Sequence, residues 1–460
     1  MSCGTDSQNA TPPMPAIAPG GESLDARREA EAWAQRGMDP RVRAVVPTFD
    51  APFFQAGLAG YSDAAMRLVA RAEGCPYCVT EALLDRTLLA GGRGFAKADL
   101  GELHDNVPGG PEDHPLAGQI MGSDPAEMAA AALKMAEQGA RGAKFYRVMA
   151  YGEGGFPKDP RAMLALRNPG GEQIDPTEGL GDCEDPRDGQ DSCDAIDEIN
   201  ALEADAAQND HAPLGANAGT GLRFEAIDVN LACPVKKIQA KARGGHWLAE
   251  PRGAIRILEA VREAVPAHVP CTVKLRRSFD DTPEMAANLH VILAAARRIG
   301  YAWATIHART VVQKYIGPSR WDLLRDIVRA HPEMPIFGSG DIWEAGDIFR
   351  MVAYTGVSGA AVARGCIGNP WIFRQARDLM AGRPPAPPTV AEQRRVLERH
   401  FDLALAVNRG MRQHEKATGM QMRKFGIRFS AHHPRAEDVR RRMIAVASLE
   451  DWRRVLTEHY

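Results

Sequence analysis

The chain lacks any apolar run long enough to cross a bilayer, for which roughly 18 to 20 residues are needed. Its first residues, MSCGTDSQNATPPMPAIAPGG, have neither the basic start nor the apolar centre of a secretory signal. Eight cysteines in 460 residues are scattered, without the density of a disulfide scaffold, which points to a reducing compartment. Charge of one sign is also lacking. With 56 Lys and Arg against 59 Asp and Glu, the formal charge is −3, so any nucleic acid must be held by a local patch. No G-x-G-x-x-G follows an early strand-like segment, which argues against an open dinucleotide-binding sheet. What remains is an ordinary soluble composition, 45% hydrophobic and 25% charged. The expectation is a soluble cytoplasmic protein with no membrane partner and a monomer favoured.

Against that background, one stretch organises the chain: Ile227-Asp228-Val229-Asn230-Leu231-Ala232-Cys233-Pro234. Ala226 to Val229 reads as a short buried strand, and Pro234, with no N–H and a fixed φ, stops it. A strand ending in Asn-x-x-Cys-Pro delivers polar chemistry to its C-terminal tip. Alone, the motif is equally compatible with a buried structural cysteine.

Other strands end in the same way. Strand patterns occur at Phe53–Leu58, Tyr77–Thr80, Leu116–Met121, Ala226–Val229, Cys271–Leu275, Trp303–Ile306, Pro335–Phe337 and Gly359–Val362. Helical patterns at Asp124–Glu137, Pro251–Ala264, Thr282–Arg298, Trp321–Ala330 and Ala345–Ala353 separate most of them. Eight alternations predict an α/β fold, a closed (β/α)8 TIM barrel wrapped by helices. Residues 1–22 read as a disordered leader. Ser23–Arg36 reads as a helix with Ser23 as N-cap, so 1–48 forms an N-terminal extension and the barrel runs over 49–383. After the Pro-rich stretch beyond Arg383, residues 384–460 read as a separate small all-helical domain. From 391 to 460 it carries fifteen Lys and Arg against nine Asp and Glu.

Residues 151–222 break the pattern, with sixteen Asp and Glu against four Lys and Arg. A structureless stretch of that length marks an insertion. Its position before the central strand assigns it to the barrel's N-terminal face or side. Acids such as Asp182, Asp185 and Asp188 lack the loop pattern of a calcium site, so a solvated acidic segment and no metal are expected. Cys75-Pro-Tyr-Cys78 enters the second strand and reads as two half-buried structural thiols. A metal cluster with Cys183 and Cys193 is disfavoured by their separation.

At the strand ends stand Gln119, Asn230, Cys233, Lys274 and His307. Polar groups in strands this apolar must be paired or functional. The last two strands run into Gly338-Ser339-Gly340-Asp341 and Ala363-Arg364-Gly365, where glycines let backbone N–H groups approach a phosphate. A phosphate-bearing redox ring beside a lysine suits FMN.

Several of these segments resemble, in order, the tRNA-dihydrouridine synthase family. They are FFQAGLAGYSDAAMR (53–67), Thr80-Glu81, QIMGSDP (119–125), IDVNLACPVKKI (227–238), TVKLR (272–276), HARTVVQKYIGPSRWD (307–322), GSGDI (338–342) and ARGCIGNPWIF (363–373). The resemblance implies an FMN-binding TIM barrel followed by a helical domain that helps hold RNA, with transfer RNA first among substrates. It implies reduction of the uridine C5=C6 bond to 5,6-dihydrouridine, with NADPH as the reductant using the same mouth. Cys233 matches the catalytic general acid, and Asn230 an asparagine that positions uracil and flavin. Gln119, Lys274 and His307 match flavin positions, and Gly338, Ser339 and Gly340 with Ala363, Arg364 and Gly365 match the phosphate site. Arg309 matches an arginine near the mouth. Arg423 and Lys424, together with Arg440–Arg442, are the candidate RNA-phosphate contacts in the basic C-terminal region.

The chain departs from the family pattern in three places. Ala232 replaces the usual glycine of Asn-x-Gly-Cys-Pro. Ala56-Gly57-Leu58 replaces Ala-Pro-Met, so Ala56 and Leu58 are the flavin-packing positions at the first strand and pack differently. The acidic insertion is not a general family feature, and like charge would keep it away from an RNA-docking face. Two other readings fit parts of the pattern: an FMN barrel acting on a free pyrimidine, and a non-catalytic RNA-binding relative. The C-terminal helical region opposes the first, and intact Cys233, Lys274 and His307 oppose the second.

Overall fold

Nine strands form among the residues that the computed structural model describes, namely 24–90, 110–153, 223–234, 243–409 and 413–460. They are β1 (Phe53–Gln55), β2 (Cys78–Val79), β3 (Leu83–Leu84), β4 (Leu116–Met121), β5 (Ala226–Asn230), β6 (Cys271–Arg276), β7 (Ala304–His307), β8 (Ile336–Ser339) and β9 (Gly359–Val362). Every pairing is parallel, and contacts β1–β9 and β2–β4 close the sheet into a barrel of eight staves. The second stave is split. β2 pairs with Leu116 and Ala117 at the start of β4, whereas β3 pairs with Ile120 and Met121 at its end.

The helices between strands begin where their caps dictate. Asp124 accepts from the Ala126 and Glu127 N–H groups at 2.9 and 3.1 Å, and Pro125 occupies the first turn of Pro125–Ala136. Thr282 caps Pro283–Ile299, and Gly300 ends it in the left-handed conformation at φ +99°. The first helix, Ala26–Arg36, is capped by Asp25 instead of Ser23, because the Asp25 carboxylate reaches the Arg27 N–H at 3.0 Å.

Aromatic rings close the bottom of the barrel. Phe49, just before β1, stacks on Tyr77 at 5.1 Å and on Phe337 at 5.6 Å, and Trp303 meets Phe337 edge-on at 5.6 Å. Above them a cavity of about 10 Å³ remains, with Gln119, Asp228 and Lys274 on its wall, room for at most a water molecule. The interior is filled, so a ligand must lie at the open end, where the strands run out.

Of the C-terminal helices, Val390–Val407 packs on helix Ala64–Ala72, His414–Phe429 packs on it in turn, and Ala436–Ile444 and Leu449–His459 pack on His414–Phe429; all share one continuous apolar core with the barrel. Tyr61 meets Phe425 at 5.6 Å and Trp371 meets Phe429 at 5.4 Å, both edge to face. The region read as separate is therefore joined to the barrel by buried rings. Among the described residues, no helix is long and apolar enough to cross a membrane.

Two further expectations change, and a third lies largely outside the described residues. β1 stops at Gln55 instead of Leu58, because a turn begins at once: Leu58 N–H donates to Ser62 Oγ at 2.7 Å. Helix Gly142–Tyr151 borders the acidic insertion, whose residues 154–222 lie outside the described residues, as do the leader 1–22, Ser23, Cys183 and Cys193. Cys75 and Cys78 are fully buried free thiols with their sulfurs 3.9 Å apart, where half-buried ones were expected.

Candidate active site

Strand alternation sends every second side chain of β4, β5 and β6 toward the barrel axis. The register places Gln119 beside Asp228, Asp228 beside Thr272, and Asn230 beside Lys274. These groups are joined by hydrogen bonds in one line. The Thr272 hydroxyl donates to Asp228 Oδ1 at 2.6 Å, and Gln119 Nε2 donates to Asp228 Oδ2 at 2.7 Å. Asn230 Nδ2 donates to Gln119 Oε1 at 2.8 Å, and the Ala232 N–H donates to Asn230 Oδ1 at 2.9 Å. Burial pushes the Asp228 carboxyl up from its ordinary range, and the bonds from Thr272 and Gln119 oppose that shift.

Cys233 follows one residue later, half-exposed at the tip of β5. The chain returns close beside it. Gly245 N–H donates to the Cys233 carbonyl at 2.9 Å, and a Cβ at Gly244, where φ is +55°, would sit 2.8 Å from Cys233 Cβ. Lys274 Nζ lies 3.4 Å from the Gly57 carbonyl, a long contact for an ammonium, and burial lowers its pKa.

His307, at the end of β7, has Nδ1 3.5 Å from Ser339 Oγ, while its Nε2 is buried with no hydrogen-bond partner among the described residues. Burial, then the charges of Arg276, Arg309, Lys274 and Arg364, holds this imidazole well below its usual range, so it is neutral at pH 7. Arg276 donates to the carbonyls of Ala232, Thr310 and Lys314, and burial lowers its guanidinium to about 10.

The glycines after β8 and β9 serve different purposes. Gly338 packs outward, where a Cβ would approach Leu324 at 3.0 Å, so its missing side chain makes room for the helices. Gly340, at φ +116°, would place a Cβ 2.9 Å from Ser319 and 3.2 Å from the His307 ring. A Cβ at Gly365 would run into the Ile342 carbonyl. Gly365 thus holds the loop after β9 against the loop after β8, and Gly340 holds the latter against Ser319 and His307, beside Ser339 and Ala363. The Arg364 guanidinium lies 4.8 Å from the Tyr315 ring and 5.0 Å from Trp343.

Two of the cations assigned to the substrate, Arg309 and Lys424, are engaged within the protein. Arg309 is buried and donates to both Asp341 oxygens at 2.7 and 2.9 Å and to the Gly317 carbonyl, leaving Nη1 buried without a partner among the described residues. Lys424 donates to the Gly60 carbonyl, and its ammonium lies 4.4 Å from the Tyr61 ring, tying the C-terminal helices to the loop after β1. Arg423, next to it, is half-buried on helix His414–Phe429, whereas Arg440, Arg441 and Arg442 are exposed. Ala56 lies on the barrel wall beside that loop, and Leu58 is half-buried in the turn.

Asp228 and Thr272 escaped the sequence reading, although the argument that singled out Lys274, a polar side chain in an apolar strand, applies to both. Asp341 escaped as well. It holds Arg309 and the Ser319 N–H and hydroxyl, at 2.7 and 2.9 Å for the latter two, from a backbone at φ +56°.

The site fits a phosphate-bearing flavin by its own geometry: a buried orphan nitrogen on His307, a lysine with one long contact, and loops at the mouth that only glycine permits. A closed parallel barrel with its polar side chains gathered at the strand C-termini is the scaffold of an enzyme that binds its ligand there. The family model described as Dihydrouridine synthase (Dus) matches residues 205–459. The chain is 32% identical over 231 residues to "Probable tRNA-dihydrouridine synthase" of Mycobacterium leprae, covering 49% of this chain and 57% of that one. It is 36% identical over 206 residues to the protein of the same description in Mycobacterium tuberculosis (strain ATCC 25618 / H37Rv), covering 43% and 51%. The Treponema pallidum protein of that description is 32% identical over 241 residues, with 50% and 68% covered. This chain belongs to the dihydrouridine synthase family. It spans about half the length of the first two relatives it matches.

Proposed function

We propose that this protein reduces the C5=C6 bond of uridine in RNA, transfer RNA first, to 5,6-dihydrouridine, with FMN as cofactor and NADPH as reductant. The observation that carries this reading is the placement of Cys233. A half-exposed thiol follows the end of an interior hydrogen-bonded line, with Gly244 and Gly245 packed against it and Lys274 near enough for the two charges to interact.

Ser339, Gly340, Ala363 and Gly365 would hold the FMN phosphate through backbone N–H groups, Lys274 and Gln119 its ring system, and neutral His307 its polar edge. When bound, FMN supplies a hydride to C6 of the pyrimidine. The protein's own groups do the rest. Asn230 orients the uracil, and donors near its carbonyls stabilise the negative charge that develops there. The Cys233 thiol then delivers its proton to C5, as a general acid held over that carbon. The target base must leave its stack, at a cost of about a few kcal/mol, which favours uridines in flexible loops. Exposed Arg440–Arg442, with Arg423, would contact phosphates, so RNA affinity should fall steeply with salt.

The test uses FMN-loaded protein, NADPH and unmodified transfer RNA, with nucleoside analysis of the digested product. Dihydrouridine at a defined position is the expected result. Its absence, with turnover of free pyrimidine instead, would overturn the RNA reading.

A further inference from the structure

We infer that Asp228, resting on the proposed uridine reduction, is a positioning residue: its carboxylate sets the orientation of both active-site amides, Gln119 and Asn230, and thereby the turn that carries Cys233.

What decides this is the direction in which each hydrogen bond points. An ionised carboxylate only accepts, whereas a primary amide has a donating and an accepting end and can sit either way round. Asp228 Oδ1 is occupied by the Thr272 hydroxyl at 2.6 Å, and Oδ2 lies 2.7 Å from the Gln119 amide. With an acceptor at that position, Gln119 must present Nε2 to Asp228, so Oε1 faces the other way. There it meets Asn230, which must answer with Nδ2, at 2.8 Å. Asn230 Oδ1 is then left to accept from the backbone, and it takes the Ala232 N–H at 2.9 Å. Ala232 directly precedes Cys233. A single acceptor-only group at the inner end thus fixes a run of four bonds, each pointing one way.

Position supports the assignment. Asp228 is 4% exposed, yet it lies one inward step below Asn230 on β5 and level with Gln119 and Thr272 on the neighbouring strands. A buried carboxylate is costly unless it is paired, and here each oxygen accepts one strong bond. Any neutral replacement that can both donate and accept would let Gln119 turn over. Oε1 would then face Asp228's replacement, Nε2 would oppose Asn230 Nδ2, and the line would break at the residue that holds the cysteine turn.

The experiment compares wild type with Asp228→Asn, Gln119→Glu and the double variant, as FMN-loaded protein with NADPH and unmodified transfer RNA. Asp228→Asn is expected to lower kcat by about 10- to 100-fold, the scale of a misplaced reacting group, with KM for RNA little changed. In the double variant the amide introduced on β5 donates to the carboxylate introduced on β4. That carboxylate again accepts from Asn230, so the bonds of Thr272, Asn230 and Ala232 keep their direction and only the bond between positions 228 and 119 is reversed. The double variant should recover most of the kcat lost by Asp228→Asn. Losses that merely add, or an Asp228→Asn enzyme with wild-type kcat, would overturn the inference. If Asp228→Asn fails to fold or to retain flavin, Thr272→Val against Thr272→Ser carries the test. A kcat lowered by valine and restored by serine is expected, and equal kcat values would overturn the role. Wild-type protein that leaves RNA uridine unreduced would instead overturn the proposed function and, with it, this inference.

Discussion

His400 lies between the rings of Phe425 and Phe429, at 4.5 and 6.3 Å, and neither of its nitrogens has a hydrogen-bond partner among the described residues. Burial is the main cause that lowers its pKa to about 4. An unfolded histidine titrates near 6.5, so the unfolded chain binds a proton first as pH falls. The stability that neutral His400 contributes is therefore complete above that value and is lost on acidification toward about 4. The size is at most about 3 kcal/mol, at roughly 1.4 kcal/mol per unit. Asp85 acts in the opposite direction: burial raises its carboxyl to about 6, so its contribution is lost as pH rises from about 4 through that value. Substituting His400 separates the two. His400→Leu removes no hydrogen bond and should leave stability at neutral pH nearly unchanged. Its advantage over wild type should then grow as urea midpoints are measured from pH 7 down to about 4.5. Parallel profiles would refute the assignment.

At the scale of the element, the loops after β8 and β9 form one unit. Gly365 has no room for a side chain because the Ile342 backbone lies against it, and Asp341 anchors the other side through Arg309 and Ser319. Gly365→Ala must push these loops apart, where the FMN phosphate is proposed to lie. The flavin dissociation constant should rise by about tenfold or more, equivalent to roughly 1.4 kcal/mol, measured by flavin fluorescence on rebinding. An unchanged constant would remove these loops from the phosphate site. The elements themselves were largely legible. Apolar runs ending on Asn230, Lys274 and His307 marked strands and mouth together, because an interior polar side chain in a short parallel strand stands out against its neighbours. The turn after Gln55 was not legible, since Ala56-Gly57-Leu58 is apolar enough to continue a strand and it is the Ser62 hydroxyl and the Tyr61 and Ser62 N–H groups, bonded to Leu58, that turn the chain. The opposite fates of Gly338 and Gly340 were equally hidden. Both read as phosphate-loop glycines, yet one faces the helices and only the other has positive φ. Lys424 read as a surface cation, and sequence spacing could not show that the Gly60 carbonyl and the Tyr61 ring would meet it.

Across the whole molecule, the basic C-terminal helices and the barrel mouth belong to one continuous core. Helix Val390–Val407 packs on helix Ala64–Ala72, whose preceding loop carries Gly60 and Tyr61, so the C-terminal helices are tied directly to the segment following β1. Helix Ala26–Arg36 packs on Ala345–Thr355 and Trp371–Met380, tying the N-terminal segment to the last barrel helices. A polymer bound along the exposed arginines would therefore meet a fixed mouth, which suits a macromolecular substrate better than a free base. The most direct measurement of the central claim is anaerobic. The FMN-loaded protein is reduced with NADPH, mixed with unmodified transfer RNA, and the return of oxidised flavin absorbance is followed in wild type and in Cys233→Ala. Reoxidation by RNA in wild type, slowed by about 100-fold or more when the proton donor is removed, is the expected result. Reduced flavin that persists in the presence of RNA, or a Cys233→Ala protein that reoxidises as fast as wild type, would contradict the account.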